Sequence, residues 1–173
     1  MSYTTVPTVS TGDTWTAANH NTYIRDNFTD VVTFKGVGLI RSTNQSIPDT
    51  TLTAISYDTE AHDTDAFHAG GSPTRITIPA GLGGYYHVYA GIVWANATTT
   101  SKYYLYVRKN GATYLAHLEE AGALVPVSQF IGVTANLSAT DYVEFMVYNQ
   151  SGSARNLVAA NAGIFAGAYM VRS

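Results

Sequence analysis

From residue 36 to the end of the chain, short stretches alternate between apolar and polar positions, and clusters of Gly, Pro, Asn and Asp separate them. A period of two is typical of strands with one buried face. The Asn110-Gly111 step between two such stretches predicts a tight hairpin, because both residues accept a positive φ. Eight to ten strands at this spacing predict an all-β sandwich or barrel. The nine clearest lie at residues 37–42, 52–57, 75–78, 85–94, 102–108, 113–118, 128–137, 142–148 and 164–171.

The first 35 residues have a different pattern. An extended Thr/Ser/Pro-rich arm precedes Thr16, which is a suitable N-cap for a short helix running to about Val32. Ile24 and Phe28 would share one face of this helix, and such a narrow apolar stripe needs a surface to dock on. We therefore divide the chain into an arm and anchoring helix at 1–35 and a β-domain at 36–173.

The second face of several strands carries tyrosine where a lone sandwich would carry charge. Tyrosine buries a large ring and keeps a hydroxyl, so it suits a surface that is wet before assembly and covered afterwards. We predict homo-oligomerisation, although the high β-propensity of tyrosine alone would also place it on an exposed sheet. The predicted subunit interface consists of Tyr85, His87, Tyr89, Tyr104, Tyr106, Tyr142, Met146 and Tyr148.

Four landmarks in this region, taken in order, resemble the C1q/TNF-like jelly roll. Residues 78–81 (Ile-Pro-Ala-Gly) with 84–88 (Gly-Tyr-Tyr-His-Val) are similar to one strand of that family, and residues 105–111 fit its next hairpin. Residues 141–143 (Asp-Tyr-Val) resemble a strand entry, with Thr140 where glycine is usual, and residues 164–170 resemble the closing strand. The resemblance implies a ten-stranded jelly-roll sandwich that assembles as a homotrimer.

A second resemblance covers residues 12–27, which are similar to a segment near the start of tailed-phage virion proteins, and parts of residues 44–65, which are similar to phage C1q-like domains. It implies a virion structural protein, assembled in the host cytoplasm and displayed on the particle surface. The favoured role is a capsid decoration (cement) protein or short head spike. Its N-terminal segment would bind the major capsid protein or another virion component through Trp15, Tyr23, Ile24 and Phe28. A tail-fibre tip that binds a host surface receptor is the alternative, and a non-phage C1q-like binding module is a third.

Composition and motifs narrow the function further. Charged residues make up 12% of the chain, the net charge is −3 and cysteine is absent, so neither a nucleic-acid surface nor a disulfide or thiolate site is expected. No apolar run is long enough for membrane insertion, and the first ten residues lack the features of a signal peptide. We expect no catalytic residue, no enzymatic activity and no cofactor, because no nucleophile elbow, acid–base pair or phosphate loop is present. A weak metal candidate remains in His62, Asp63, Asp65 and His68, which we interpret as turn caps and exposed imidazoles in a loop.

Overall fold

The computed structural model describes residues 4–69, 71–95, 101–121 and 126–172. Twelve strands in this part of the chain form two antiparallel sheets. The strands are β1 (Gly36–Ile40), β2 (Gln45–Ile47), β3 (Thr53–Ala54), β4 (Thr59–Asp63), β5 (Arg75–Thr77), β6 (Gly84–Trp94), β7 (Lys102–Lys109), β8 (Thr113–Ala121), β9 (Val127–Leu137), β10 (Tyr142–Gln150), β11 (Arg155–Leu157) and β12 (Ile164–Arg172).

The first sheet has seven strands. Its main body runs β9-β6-β12-β1-β4, and the short pair β11 and β2 continues it beside the Trp94 end of β6. The second sheet has five strands, with β3 and β5 beside β10, then β7 and β8. Each sheet therefore has an inner face towards the other sheet and an outer face of its own.

The core lies between the two sheets and is built by alternate positions of the long strands. On β6, Tyr86, Val88, Ala90, Ile92 and Trp94 are all buried, and the alternate positions of β7 and β10 face them. The buried amide of Gln129 in this layer is paired on both of its sides. Gln129 accepts from the Trp94 indole at 2.8 Å and donates to the Tyr103 carbonyl at 3.1 Å, so an amide is accommodated there without an unsatisfied group.

The all-β sandwich predicted from the alternation is confirmed, and so is the hairpin at Asn110 and Gly111, whose φ values are 51° and 71°. The strand inventory differs by three short strands that were not predicted, β2, β4 and β11, and by one strand that is shorter than expected. Residues 59–63, where no strand was predicted and of which we placed 62 and 63 in a loop, form the edge strand β4. The strand expected at 52–57 shortens to Thr53–Ala54. On the edge that faces away from β10, the Gln45 side chain donates to the Ala54 carbonyl and accepts the Ser56 N–H.

The predicted helix is present as a continuous stretch with a wider π-helical middle: α1 (Ala17–His20), a π-turn (Asn21–Asp26) and α2 (Asn27–Val32). Thr16 caps it, and its hydroxyl accepts the N–H of Asn19 at 3.2 Å. The arm folds back on the helix, because the Asn27 side chain exchanges two hydrogen bonds of 2.9 and 2.8 Å with the backbone of Thr4. No helix among the described residues has the length and apolar character to span a membrane. The division at residue 35 stays a prediction.

Candidate interaction surfaces

The outer face of the seven-stranded sheet carries a group of aromatic rings, here called the glycine–aromatic face. It consists of Tyr85, His87 and Tyr89 on β6, Phe130 on β9, and Phe165 and Tyr169 on β12. Register brings them together, since Phe130 and Phe165 flank Gly91 while Tyr169 pairs with His87. Ring centroids of neighbours lie 5.3–6.5 Å apart. Phe130 is 61% exposed, which is far more than a ring of this size in a core.

Glycines in the sheet leave the space that these rings occupy. A Cβ added at Gly91 would lie 2.3 Å from the Phe165 ring, and one at Gly167 would lie 2.5 Å from the Tyr89 hydroxyl oxygen. Both distances are well inside ordinary carbon contact. The rings therefore rest against bare backbone, and a groove of about 340 Å³ remains between Phe130 and Phe165 over Gly91.

Charge is absent from the centre of the glycine–aromatic face. The outward positions of β6 and β9, both within the described residues, hold aromatic, small or uncharged polar side chains. Burial raises the pKa of Tyr89, and the neighbouring Tyr169 raises it further, so its hydroxyl stays neutral in ordinary conditions. A flat, uncharged face with aromatic rings and a few hydroxyls is typical of the central part of a protein–protein interface.

A second aromatic group, here called the tyrosine cluster, lies on the outer face of the five-stranded sheet. It consists of Tyr104, Tyr106, Tyr114, His117 and Tyr148. Tyr104 and Tyr106 stand parallel, with centroids 6.0 Å apart and planes at 5°. Tyr114 meets Tyr106 at 58° and 5.3 Å, and Tyr148 meets Tyr104 edge-on at 5.7 Å. Tyr104, Tyr106, Tyr114 and His117 line an open depression of about 340 Å³.

Ion pairs border the tyrosine cluster at both ends. At one end Lys102 Nζ lies 2.6 Å from Glu119, and this hydrogen bond lowers the pKa of the Glu119 carboxyl. At the other end the buried carboxylate of Glu144 forms ion pairs with two arginines. Its Oε1 lies 3.2 Å from Arg75 Nε, and its Oε2 lies 3.2 Å from Arg108 Nη2. Arg75 also lies 4.1 Å over the Tyr142 ring. The first of these groups is neutral, whereas the second has one more positive than negative charge.

The eight residues predicted as one interface lie on two opposite faces. Tyr85, His87 and Tyr89 belong to the seven-stranded sheet, whereas Tyr104, Tyr106, Tyr142, Met146 and Tyr148 belong to the five-stranded sheet. The predicted residues thus belong to both outer faces, and which of them lie at a subunit contact stays a prediction. Sequence reasoning missed Phe130, Phe165 and Tyr169 on the first face and Tyr114 and His117 on the second. Phe130 follows the buried Gln129 and precedes the buried Ile131, so the alternation test would have found it.

The four candidate metal ligands are each engaged separately. Asp63 accepts the backbone N–H groups of Phe67 and His68 at 2.9 and 2.8 Å, and Asp65 pairs with Lys35 at 3.1 Å. The His68 ring is buried with Nδ1 2.9 Å from Glu60, and the His62 ring packs edge-on against Phe34. Within the described residues no three His, Asp or Glu side chains come together as a metal site would require. Asp63 is therefore a turn cap, as the sequence suggested, while His68 is buried rather than exposed.

The four candidate anchoring residues divide into two pairs. Trp15 and Tyr23 contact each other, with centroids 5.9 Å apart, and fasten the arm to the helix. Ile24 and Phe28 point outward and are 49% and 66% exposed. Val31 extends their line, and Val31 and Val32 line a groove with Met170 and Val171 at the end of β12. The helix thus presents an exposed apolar stripe from a position beside the seven-stranded sheet.

The fold is similar to that of solved protein structures, although the sequence itself matches no known family. No family model and no curated protein matches the sequence. Among solved structures, murine APRIL matches with TM-scores of 0.58 at pH 8.5 and 0.60 at pH 8.0, both at 13% identity, over 80% of this chain and 100% of that chain. Eiger TNF from S. frugiperda matches with a TM-score of 0.58 at 15% identity, over 81% of this chain and 94% of that one. At these identities the likeness concerns the fold alone, and the chain has the two-sheet jelly-roll fold of TNF-like proteins.

Proposed function

We propose that this chain is a non-enzymatic structural protein that works as a homotrimer, in which the glycine–aromatic face of each copy is covered by its neighbours. The observation that carries the proposal is the exposure of an uncharged aromatic sheet face, with Phe130 61% in solvent and a groove beside it. A threefold assembly is what the likeness to the C1q/TNF-like jelly roll implies.

Energetics favour this face over the opposite one as the contact between copies. Covering an exposed aromatic ring is worth about 1.5–3 kcal/mol, and a trimer covers the rings of three copies. Covering the tyrosine cluster would in addition take the ion pairs of Lys102 with Glu119 and of Arg75 with Glu144 out of water, a cost that can exceed the attraction between the charges.

The proposed role is a capsid decoration or short head-spike protein on the surface of a phage particle. Its support is the resemblance of residues 12–27 to phage virion proteins, together with the exposed Ile24 and Phe28 on the helix. β1 begins at Gly36, shortly after the helix ends at Val32, and lies in the seven-stranded sheet. Trimerisation through that sheet would therefore gather three apolar helix stripes at one end, where they would bind a capsid protein.

The receptor-binding tip of a tail fibre is the second candidate. The observation that favours it is the tyrosine cluster, which the proposed trimer leaves open to solvent on the outer side of each copy. The two roles share the trimer and differ in whether the helix or the outer sheet makes the functional contact.

Paired charge substitutions test the subunit contact. Phe130→Asp places a carboxylate in the glycine–aromatic face, and we expect it to give monomers, because burying an unpaired charge costs several kcal/mol. Tyr114→Asp, at a similarly exposed ring on the opposite sheet, is the matched control and should stay trimeric. Light scattering gives the mass of each variant. A trimeric Phe130→Asp would show that the glycine–aromatic face is not the contact.

A second pair of variants tests the attachment. Full-length Ile24→Asp/Phe28→Asp should lose binding to particles assembled without this protein while remaining trimeric. Val9→Asp, at an exposed apolar residue of the arm, is the control and should bind. Undiminished binding of the double variant would remove the helix as the anchor.

A further inference from the structure

We propose that the tyrosine cluster is a binding site for a neutral saccharide of one or two pyranose rings. The site lies on the outer face of the five-stranded sheet, on β7, β8 and β10. It does not rest on the trimer, because each copy contains all of its residues.

The rings provide surfaces at an angle to one another. Tyr106 and Tyr114 meet at 58°, and His117 lies on the third side, 6.2 Å from Tyr106. A pyranose has an apolar C–H face and a polar rim, so one ring of the cluster would stack on that face while the next contacts its edge. The depression of about 340 Å³ is at the small end of the range for ligand sites, which suits one or two sugar rings rather than a peptide segment.

The polar groups around the depression match the hydroxyl rim of a sugar. The tyrosine hydroxyls and the His117 imidazole both donate and accept hydrogen bonds. Burial raises the pKa of Tyr106, and Tyr104 and Tyr114 add to this, so its hydroxyl remains a donor. At the rim Glu119 accepts from both Lys102 and the Tyr104 hydroxyl, and its lowered pKa keeps it an acceptor carboxylate.

The charge distribution selects a neutral ligand. The depression is lined by three tyrosines and His117 and by no Asp, Glu, Lys or Arg. Lys102 is neutralised by Glu119, and Arg108 by Glu144. The remaining positive charge, that of Arg75, lies over the Tyr142 ring outside the cluster. Tyr104 and Tyr106 are too close, at 6.0 Å, for a quaternary ammonium group to enter between them and contact both faces. The bordering ion pairs also disfavour a second copy of the chain here, since a flat protein contact would desolvate them.

Saturation-transfer NMR on the full chain tests the site, with the methyl glycosides of glucose, galactose, mannose, rhamnose and N-acetylglucosamine, and their β-linked disaccharides, as probes. We expect transfer to the C–H protons of at least one probe. Tyr106→Ala should weaken that binding about tenfold, because one stacking ring accounts for on the order of a tenfold change in affinity. Tyr114→Ala, which removes a ring that is 53% exposed and hence dispensable for folding, should weaken it similarly.

Tyr142→Ala is the matched control, since it removes a tyrosine of the same sheet that lies outside the cluster; it should bind as the parent does. Binding should also change less than twofold between ionic strengths of about 0.01 and 1 M, over which the Debye length falls from about 30 to 3 Å. Absence of transfer from every probe, retained binding by both ring variants, a steep salt dependence, or a change of molecular mass in Tyr114→Ala would each overturn the proposal. None of the first three outcomes bears on the homotrimer proposal, so the saccharide proposal can be refuted while the homotrimer proposal stands.

Discussion

Replacing Gly91 with alanine adds a single methyl group beneath the Phe165 ring. The new Cβ would lie 2.3, 2.4 and 3.1 Å from three carbon atoms of that ring. Ordinary carbon contacts are about 3.5 Å or longer, so the ring must move outward by about 1.2 Å. The three nearest neighbours of the added carbon all belong to this one side chain, which is able to turn away from the sheet in a free subunit.

The expected effect on a single copy is therefore small. Alanine is preferred over glycine inside a strand by about 0.5–1 kcal/mol, which offsets the cost of moving the ring. In the proposed trimer a neighbouring copy packs against Phe165, so the space into which the ring would move is occupied. Overpacking at such a site costs about 1–3 kcal/mol, and three copies of it cost about 3–9 kcal/mol. This corresponds to a loss of about two to six orders of magnitude in the trimer association constant.

Sedimentation velocity over a dilution series measures that constant, and near-ultraviolet circular dichroism reports whether the subunit fold is kept. Gly71→Ala is the matched control, because a Cβ there meets no atom within 4 Å and its φ is not in the left-handed region. If Gly91→Ala dissociates over the same concentration range as Gly71→Ala, Phe165 does not lie in the subunit contact and the reasoning is refuted.

Three further predictions concern stability. The Tyr86 hydroxyl donates to the Leu82 carbonyl at 2.5 Å, and burial raises its pKa to about 12. The pKa of a tyrosine in the unfolded chain is near 10. The contribution of this hydroxyl to the free energy of unfolding should therefore be fully present below pH 10 and fall by up to about 1.4 kcal/mol per pH unit between pH 10 and 12. In urea unfolding, Tyr86→Phe should be about 1 kcal/mol less stable at pH 7 and show a shallower alkaline decline, and an equal decline would contradict this assignment. Glu144→Gln leaves Arg75 and Arg108 without their shared carboxylate and should cost about 2–3 kcal/mol in the same assay, whereas Glu119→Gln, in an exposed pair, should change little. Thr16→Ala removes the hydroxyl that accepts the Asn19 N–H and should destabilise the helix by about 1 kcal/mol. The helical signal in far-ultraviolet circular dichroism should fall accordingly, and an unchanged signal would show that the cap is dispensable.

The core could be predicted because strand geometry fixes which positions share a face. Alternate residues of a strand point in opposite directions, so Tyr86, Val88 and Ile92 were separable from Tyr85, His87 and Tyr89 before any pairing was known. The hairpin at Asn110 and Gly111 was predictable for a similarly local reason, since few residues accept positive φ.

The short strands could not be predicted from pattern. β4 contains Glu60, His62 and Asp63 and is mostly exposed, so its sequence has no apolar alternation. It is a strand because its backbone pairs with β1, and that partner is distant in sequence. Edge strands of this kind depend on tertiary context rather than on propensity.

The candidate surfaces were only half predictable for a related reason. Alternation identified outward tyrosines, but it does not say which of two sheets a strand joins, and so Tyr89 and Tyr106 were assigned to one interface. The sequence pattern also did not show which glycines make room for the aromatic rings. Gly91 makes room for Phe165 only through the register of β6 with β12, which joins positions far apart in the chain.

The most direct test is the molar mass of the purified chain, measured by multi-angle light scattering during dilution. One copy has a mass of 18.6 kDa, so three copies give about 56 kDa. We predict about 56 kDa at high concentration, falling towards the mass of one copy only on strong dilution. A constant 18.6 kDa at every concentration, from a soluble and folded chain, would contradict the account.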